Sequence, residues 1–225
     1  MPDWGRMLGG AHGGRLAEPA REESEGRTAD VLVAEARRSS ERYAPRVDTQ
    51  GTDLCNELRA LPKGRPAWGK YEKLCDRILR YLFSNGLHGW HKQQRTDDGL
   101  NRFDYVCRIR PTAEFWRFLV DNLNSRYMLF EFKNYTRQIN QGQILTTEKY
   151  LLERGLRRVA IILSRSGASA GAVAMTQGAM REHGKLMIVL DDDQVCRMLH
   201  TRERGEDPTD LLFDAVDSFL LSLPR

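Results

Sequence analysis

Tyr127-Met128-Leu129-Phe130-Glu131-Phe132-Lys133-Asn134 places a carboxylate and an ammonium inside an otherwise apolar, aromatic-rich run. The run predicts a β-strand. Side chains alternate across a strand, so Glu131 and Lys133 share one face while Met128, Phe130 and Phe132 share the other. The aromatic face reads as core. A solvated Glu-Lys pair on an edge strand has the same local pattern, and the sequence around it decides between the two.

Upstream, Tyr71, Leu74, Cys75, Ile78, Leu79, Leu82 and Phe83 recur at the spacing of one helical face. They predict a helix over residues 68–85, stopped by Gly86. A short strand is expected over 92–96 and a turn at Asp97-Asp98-Gly99. A second strand is expected over 103–109, with Phe103, Tyr105, Cys107 and Ile109 facing the core and Asp104 opposite them. Phe115, Trp116, Leu119, Val120 and Leu123 predict a helix within 111–124. After the central strand, 139–154 reads as a helix ended by Gly155. The remainder alternates: strand 159–163, helix 168–183, strand 186–190, then helices over 194–200 and 210–221. Strands spaced by helices predict an α/β layer architecture with a parallel portion.

A chain of 225 residues suits one medium domain with a substantial core and an appended segment. The first 28 residues mix Gly, Arg, Glu and Pro with little apolar periodicity, which predicts a flexible arm. Short helices are expected over 29–43 and 52–61. The breakers in Leu61-Pro62-Lys63-Gly64-Arg65-Pro66 put the expected boundary between an arm, 1–66, and a compact domain, 67–225. Lys and Arg exceed Asp and Glu by 35 to 31, which permits a nucleic-acid partner without demanding one. Cys55, Cys75, Cys107 and Cys196 lack any zinc spacing and read as reduced and mostly buried. No apolar run reaches the roughly 20 residues that span a bilayer, and no signal-peptide core is visible, so a cytoplasmic chain without membrane contact is expected.

The chemistry converges on Asp104, Glu131 and Lys133, which project from the non-core side of successive strands. Mg²⁺ takes oxygen ligands and keeps several waters, so two carboxylates, a backbone carbonyl and a substrate phosphate make a plausible set. Such an ion stabilises charge on a phosphate and lowers the pKa of an attacking water, and Lys133 could orient or help deprotonate that water. The order helix, strand, Asp-bearing strand, Glu-x-Lys strand, helix, strand resembles the PD-(D/E)xK, or restriction-endonuclease-like, nucleases, and among them the Mrr-type branch. The resemblance runs over residues 68–190. It is carried by Asp98-Gly99-Leu100-Asn101-Arg102-Phe103-Asp104 and Glu131-Phe132-Lys133-Asn134-Tyr135. It implies a restriction-endonuclease-like core with a central mixed sheet flanked by helices. Asp104 and Glu131 then match the metal-binding acids, and Lys133 the catalytic lysine. Two departures stand: no proline immediately precedes Asp104, and the 111–124 helix lengthens the usual hairpin between the acid strands.

The resemblance also points to Glu72, on the first helix, as a third metal-facing acid, and to Gln143, with Gln141 as an equal rival, as a glutamine contacting the site. An exposed helix glutamate is the blander reading of Glu72. Gln143, Thr147 and Tyr150 share one helical face that either lines the cleft or meets water. Arg102 shares the Asp104 face and could hold a phosphate, or be solvated. His88 and His91 flank Trp90 in a loop-like stretch without ligand-spaced partners, which excludes a zinc reading. Asp191-Asp192-Asp193 reads as a helix cap rather than a metal cluster. The loop Ser164-Arg165-Ser166-Gly167-Ala168-Ser169 lacks both the phosphate-loop pattern and the G-x-S-x-G elbow.

The function implied is Mg²⁺-dependent endonucleolytic hydrolysis of phosphodiester bonds, with Mn²⁺ as a substitute. Double-stranded DNA is the expected partner, bacterial defence the implied role, and a homodimer or a regulatory protein the expected form of control. The alternative is a catalytically silent nucleic-acid- or protein-binding module of the same fold. The intact acid, acid, lysine set favours the enzyme.

Overall fold

The computed structural model describes residues 48–93 and 103–224. The expectations for the 1–28 arm, the 29–43 helix and the 97–99 turn, and for Arg102, fall outside those residues. In chain order the elements are α1 (Gln50–Ala60), α2 (Trp68–Phe83), β1 (Leu87–Lys92), β2 (Tyr105–Ile109), α3 (Glu114–Asp121), β3 (Tyr127–Lys133) and α4 (Gln141–Tyr150). They continue as β4 (Val159–Ser164), α5 (Ala170–His183), β5 (Leu186–Leu190), α6 (Asp192–Glu203) and α7 (Thr209–Leu221).

The strands form one mixed sheet in the order β1-β2-β3-β4-β5, antiparallel from β1 to β3 and parallel from β3 to β5. The α/β class with helices around a mixed sheet is therefore as the sequence predicts. Both faces of the sheet are apolar. Met128, Phe130 and Phe132 join Tyr105, Cys107, Ile161 and the apolar stripes of α1, α2, α3, α6 and α7 in the larger core. Leu129, Ala160, Ile162 and Met187 form a second core with residues of α4 and α5. The face carrying Glu131 is thus a second buried layer, as expected of strands sandwiched between helices. The reading of that face as non-core is corrected.

Four other expectations move. The strand after α2 starts at Leu87, so His88 and His91 lie on an edge strand whose register shifts between them, with Gly89 at φ 63°. The second strand begins at Tyr105, and Phe103, beyond the bend at Asp104, packs in the second core. Helix α4 ends at Tyr150, because Leu151 is extended and Leu152 bridges Arg157; Gly155 belongs to a separate short turn. The boundary at Pro66 moves furthest. Leu54, Cys55 and Leu58 of α1 are buried in the main core, so the compact domain includes α1. Asp191 accepts from Gln194 N–H at 2.8 Å and caps α6 as expected.

Cys55 and Cys196 are joined in a disulfide between α1 and α6, while Cys75 and Cys107 are free and buried. This corrects the reduced reading for one pair; nothing in their spacing foretells the bond, since 141 residues separate them. Cross-links over long loops restrict the unfolded chain and typically stabilise by about 2–4 kcal/mol. Reduction is expected to lower the melting temperature, read by thermal unfolding with and without dithiothreitol. A Cys55→Ala/Cys196→Ala chain should melt at the same temperature in both buffers.

The joint between α1 and the sheet is polar and buried. Arg165, 3 % exposed, donates from Nε to both Asp192 oxygens at 2.9 and 2.7 Å. Its Nη1 donates to Asn134 Oδ1 at 3.0 Å, and its Nη2 to the carbonyls of Leu58 and Leu61 at 2.8 and 3.0 Å. The guanidinium also lies 5.4 Å from the Tyr71 ring centre. Asn134 in turn donates from Nδ2 to Gly64 O at 2.8 Å, and Gly64 N–H donates to Asn134 O at 2.8 Å. Gly64 sits at φ 106°, a conformation that L side chains rarely adopt. These bonds fix the 61–66 segment against the end of β3.

Among the described residues no helix is long and apolar enough to cross a membrane.

Candidate active site

The site grows from the end of the β2–β3 ladder. The last paired residues are Tyr105 and Phe130, so Phe132, which still pairs with Leu163 of β4, has no partner on β2. The Asp104 carboxylate takes its place: Phe132 N–H donates to Asp104 Oδ2 at 2.8 Å. An acid at the foot of β2 is thereby locked beside the Glu-x-Lys segment of β3. Lys133 Nζ donates to Glu131 Oε2 at 2.8 Å. Glu131 is only 3 % exposed, and its Oε1 is buried with no hydrogen-bond partner among the described residues. The structure therefore brings Asp104, Glu131 and Lys133 together, with Glu131 far less open to solvent than the cleft predicted from alternation.

A buried carboxylate oxygen without a donor costs free energy, commonly about 1–3 kcal/mol and more for a charge. Burial raises the Glu131 pKa; Lys133 pulls against that shift and the nearby Asp104 charge adds to it. For Lys133, burial acts to lower the pKa, but attraction from Glu131, their hydrogen bond and Asp104 outweigh it, and the net shift is upward. The lysine is a cation at neutral pH.

The shift at Glu131 has a testable sign. The folded chain binds a proton at a pH where unfolded Glu131 is already ionised, so this group adds stability as pH falls from its raised value towards the ordinary 4.5. The stability of the wild type minus that of Glu131→Gln is expected to rise across that window and level off below it, measured by urea unfolding over a pH series. A difference that shrinks on acidification would contradict the buried-carboxylate reading.

The remaining candidates separate. Gln143 Oε1 accepts from Asn140 N–H at 2.9 Å, and Asn140 Oδ1 accepts from Gly142 N–H at 2.9 Å, which closes a capping box at the start of α4. Gln143 is thus engaged in starting the helix, and Gln141 is an exposed residue packed beside Gly171 of α5. Glu72 accepts from Gln93 Nε2 at 2.8 Å, and Gln93 N–H donates to the Asp104 carbonyl at 2.9 Å. Glu72 is therefore tied through Gln93 to the Asp104 backbone. Gln93 makes this link from φ 47°, a left-handed conformation that non-glycine residues rarely adopt.

Tyr150 is the residue that the sequence reading left on the margin. Burial raises its pKa, Glu131 and Asp104 raise it further, and Lys133 opposes them, so its hydroxyl lies within electrostatic reach of all three groups. Its ring stands edge-on to Phe103 at 5.1 Å between centroids. The signal was its place on the Gln143-Thr147-Tyr150 face; Thr147 on that face is fully buried and bonds the Gln143 carbonyl at 3.1 Å.

No family model, curated protein or solved structure matches this chain.

The donor set fits a hard divalent cation at the level of chemistry: two neighbouring carboxylates, one with an oxygen that has no hydrogen-bond partner among the described residues. Among the described residues, no third His, Cys, Asp or Glu completes a cluster of metal-ligating side chains. Mg²⁺ accepts that arrangement, because it usually takes one or two protein carboxylates and fills its shell with water and substrate phosphate.

Proposed function

We propose that the chain is a Mg²⁺-dependent nuclease of the PD-(D/E)xK, restriction-endonuclease-like kind, hydrolysing phosphodiester bonds of DNA. The observation that carries this reading is Glu131 Oε1, buried and without a hydrogen-bond partner among the described residues, beside Asp104 and with Lys133 on the other carboxylate oxygen. When bound, Mg²⁺ or Mn²⁺ supplies charge compensation for the phosphate and acidifies a water. Asp104 and Glu131 are the residues that would hold it. Lys133, a cation already aimed at Glu131, positions the attacking water and faces the phosphate oxygens. Tyr150, packed edge-on to Phe103, lies within electrostatic reach of all three groups. Phe103 and the apolar second core shield the acids from bulk water, which strengthens each of these interactions.

A second reading is a silent nucleic-acid-binding module. The direct 2.8 Å Lys133–Glu131 ion pair favours it, since an ammonium there already compensates the acid. Incubation with supercoiled plasmid and with RNA, in Mg²⁺, Mn²⁺ or EDTA, separates the two. Metal-dependent nicking supports the nuclease. Intact substrates in every metal, together with retained binding, support the module.

A further inference from the structure

Beyond Lys133 the chain leaves β3 into a hollow of 570 Å³ lined by Arg65, Trp68, Gly69, Asn134 and Tyr135. Its volume lies within the roughly 300–1,000 Å³ of small-ligand clefts. Tyr135 is 40 % exposed, one of few large hydrophobic side chains so open among the described residues, and Trp68 is partly exposed at the edge of the main core. An added Cβ at Gly69 would meet nothing within 4 Å, so open space lies over the first turn of α2. Arg65 in the lining is exposed, and no acid is among the described lining residues.

The hollow is built rather than incidental. Its floor, Asn134, is buried and held by Arg165, and its Nδ2 and carbonyl tether Gly64, which sets the neighbouring Arg65 in place. Its wall continues from the candidate active site: Tyr135 is two residues from Lys133 and acts on it electrostatically.

We infer that this hollow is a nucleobase subsite, in which one unstacked base of a nucleic-acid strand lies against Tyr135 and Trp68 while Arg65 holds a flanking phosphate. The chemistry of the lining selects this occupant. Two aromatic side chains offer π-faces that stack on any base, and the Arg65 guanidinium suits a phosphate oxygen pair. A purely apolar ligand would leave the Arg65 charge without a counterpart. An acidic peptide would satisfy the charge but leave the aromatic pair without a planar partner. The inference extends the proposed function by assigning its substrate a strand with at least one base out of the stack.

The test is fluorescence titration in EDTA, where no cleavage occurs and the metal site takes no part. A single-stranded oligonucleotide is expected to quench tryptophan emission. The chain has four tryptophans, so the quench is assigned through Trp68→Phe, which should lose most of it at strand concentrations that saturate the variant, saturation being read by anisotropy of a labelled strand. Tyr135→Ala is expected to weaken binding roughly tenfold or more, in line with loss of one base–aromatic stack. An oligonucleotide of the same length with abasic positions should bind the wild type with a similar loss. Circular dichroism and thermal melting check that the exposed Tyr135 site leaves the fold intact. Equal binding of normal and abasic strands, or an unchanged affinity for Tyr135→Ala, overturns the inference. So does a mononucleotide that binds as tightly as the strand, because the pocket would then serve a free nucleotide. Failure of the nuclease reading is seen separately, as intact plasmid in Mg²⁺ and Mn²⁺, and does not alter these binding outcomes.

Discussion

Glu131→Gln and Lys133→Ala are each expected to lower plasmid nicking in Mg²⁺ by roughly a hundredfold or more, the usual scale for removing one group that stabilises developing charge. The amide keeps the shape of the carboxylate and loses its charge, so the hard-metal site weakens. Alanine removes the ammonium proposed to position water. Binding should survive both changes, because affinity for a strand is spread over many Lys and Arg contacts to phosphates. Glu131→Gln is expected to bind DNA in EDTA slightly more tightly than the wild type, since one negative charge near the backbone is gone. Wild-type nicking rates in both variants would sink the assignment of these residues. The two variants should also differ in stability. Lys133→Ala leaves Glu131 buried beside Asp104 with no counter-ion, and breaking a buried pair from one side commonly costs about 3–5 kcal/mol. Protonation of Glu131 relieves that cost, so the deficit of Lys133→Ala should narrow as pH is lowered.

Arg165→Met is expected to have the largest effect on folding, a loss of about 3–5 kcal/mol in urea unfolding. Methionine fills part of the volume but leaves Asp192 without its ion pair and the Asn134, Leu58 and Leu61 oxygens without their donors. Domain stabilities are usually only about 5–15 kcal/mol, so the variant should sit near the edge of folding. Arg165→Lys should recover little, because a single ammonium cannot reproduce a planar fork that meets four partners. A loss below about 1 kcal/mol would show that this joint contributes far less than its contacts indicate.

Much of this architecture was legible because hydrophobic periodicity survives locally. The α2 stripe, the strand at 186–190 and the cap at Asp191 could be read off neighbouring residues. The Glu-x-Lys strand was legible for the same reason: Met128, Phe130 and Phe132 do face one core. What escaped was long-range. The end of α1 is held by a guanidinium more than a hundred residues later in the chain, and Arg165 was read only as part of a loop without a phosphate pattern. The capping role of Gln143 was a local signal passed over: Asn140 and Gln143 stand three apart, as a capping box requires. Phe103 was placed on the wrong face because period-2 reasoning was carried through the bend at Asp104, where no strand exists.

The Cys55–Cys196 bond closes the chain into a covalent ring that holds every strand of the sheet, together with Asp104, Glu131 and Lys133. A single backbone cut anywhere between those cysteines would release no fragment. The two pieces would migrate as one molecule until a reductant opened the ring, so a single cut inside it is visible only on reducing gels, whereas cuts before Cys55 or after Cys196 release fragments in either case.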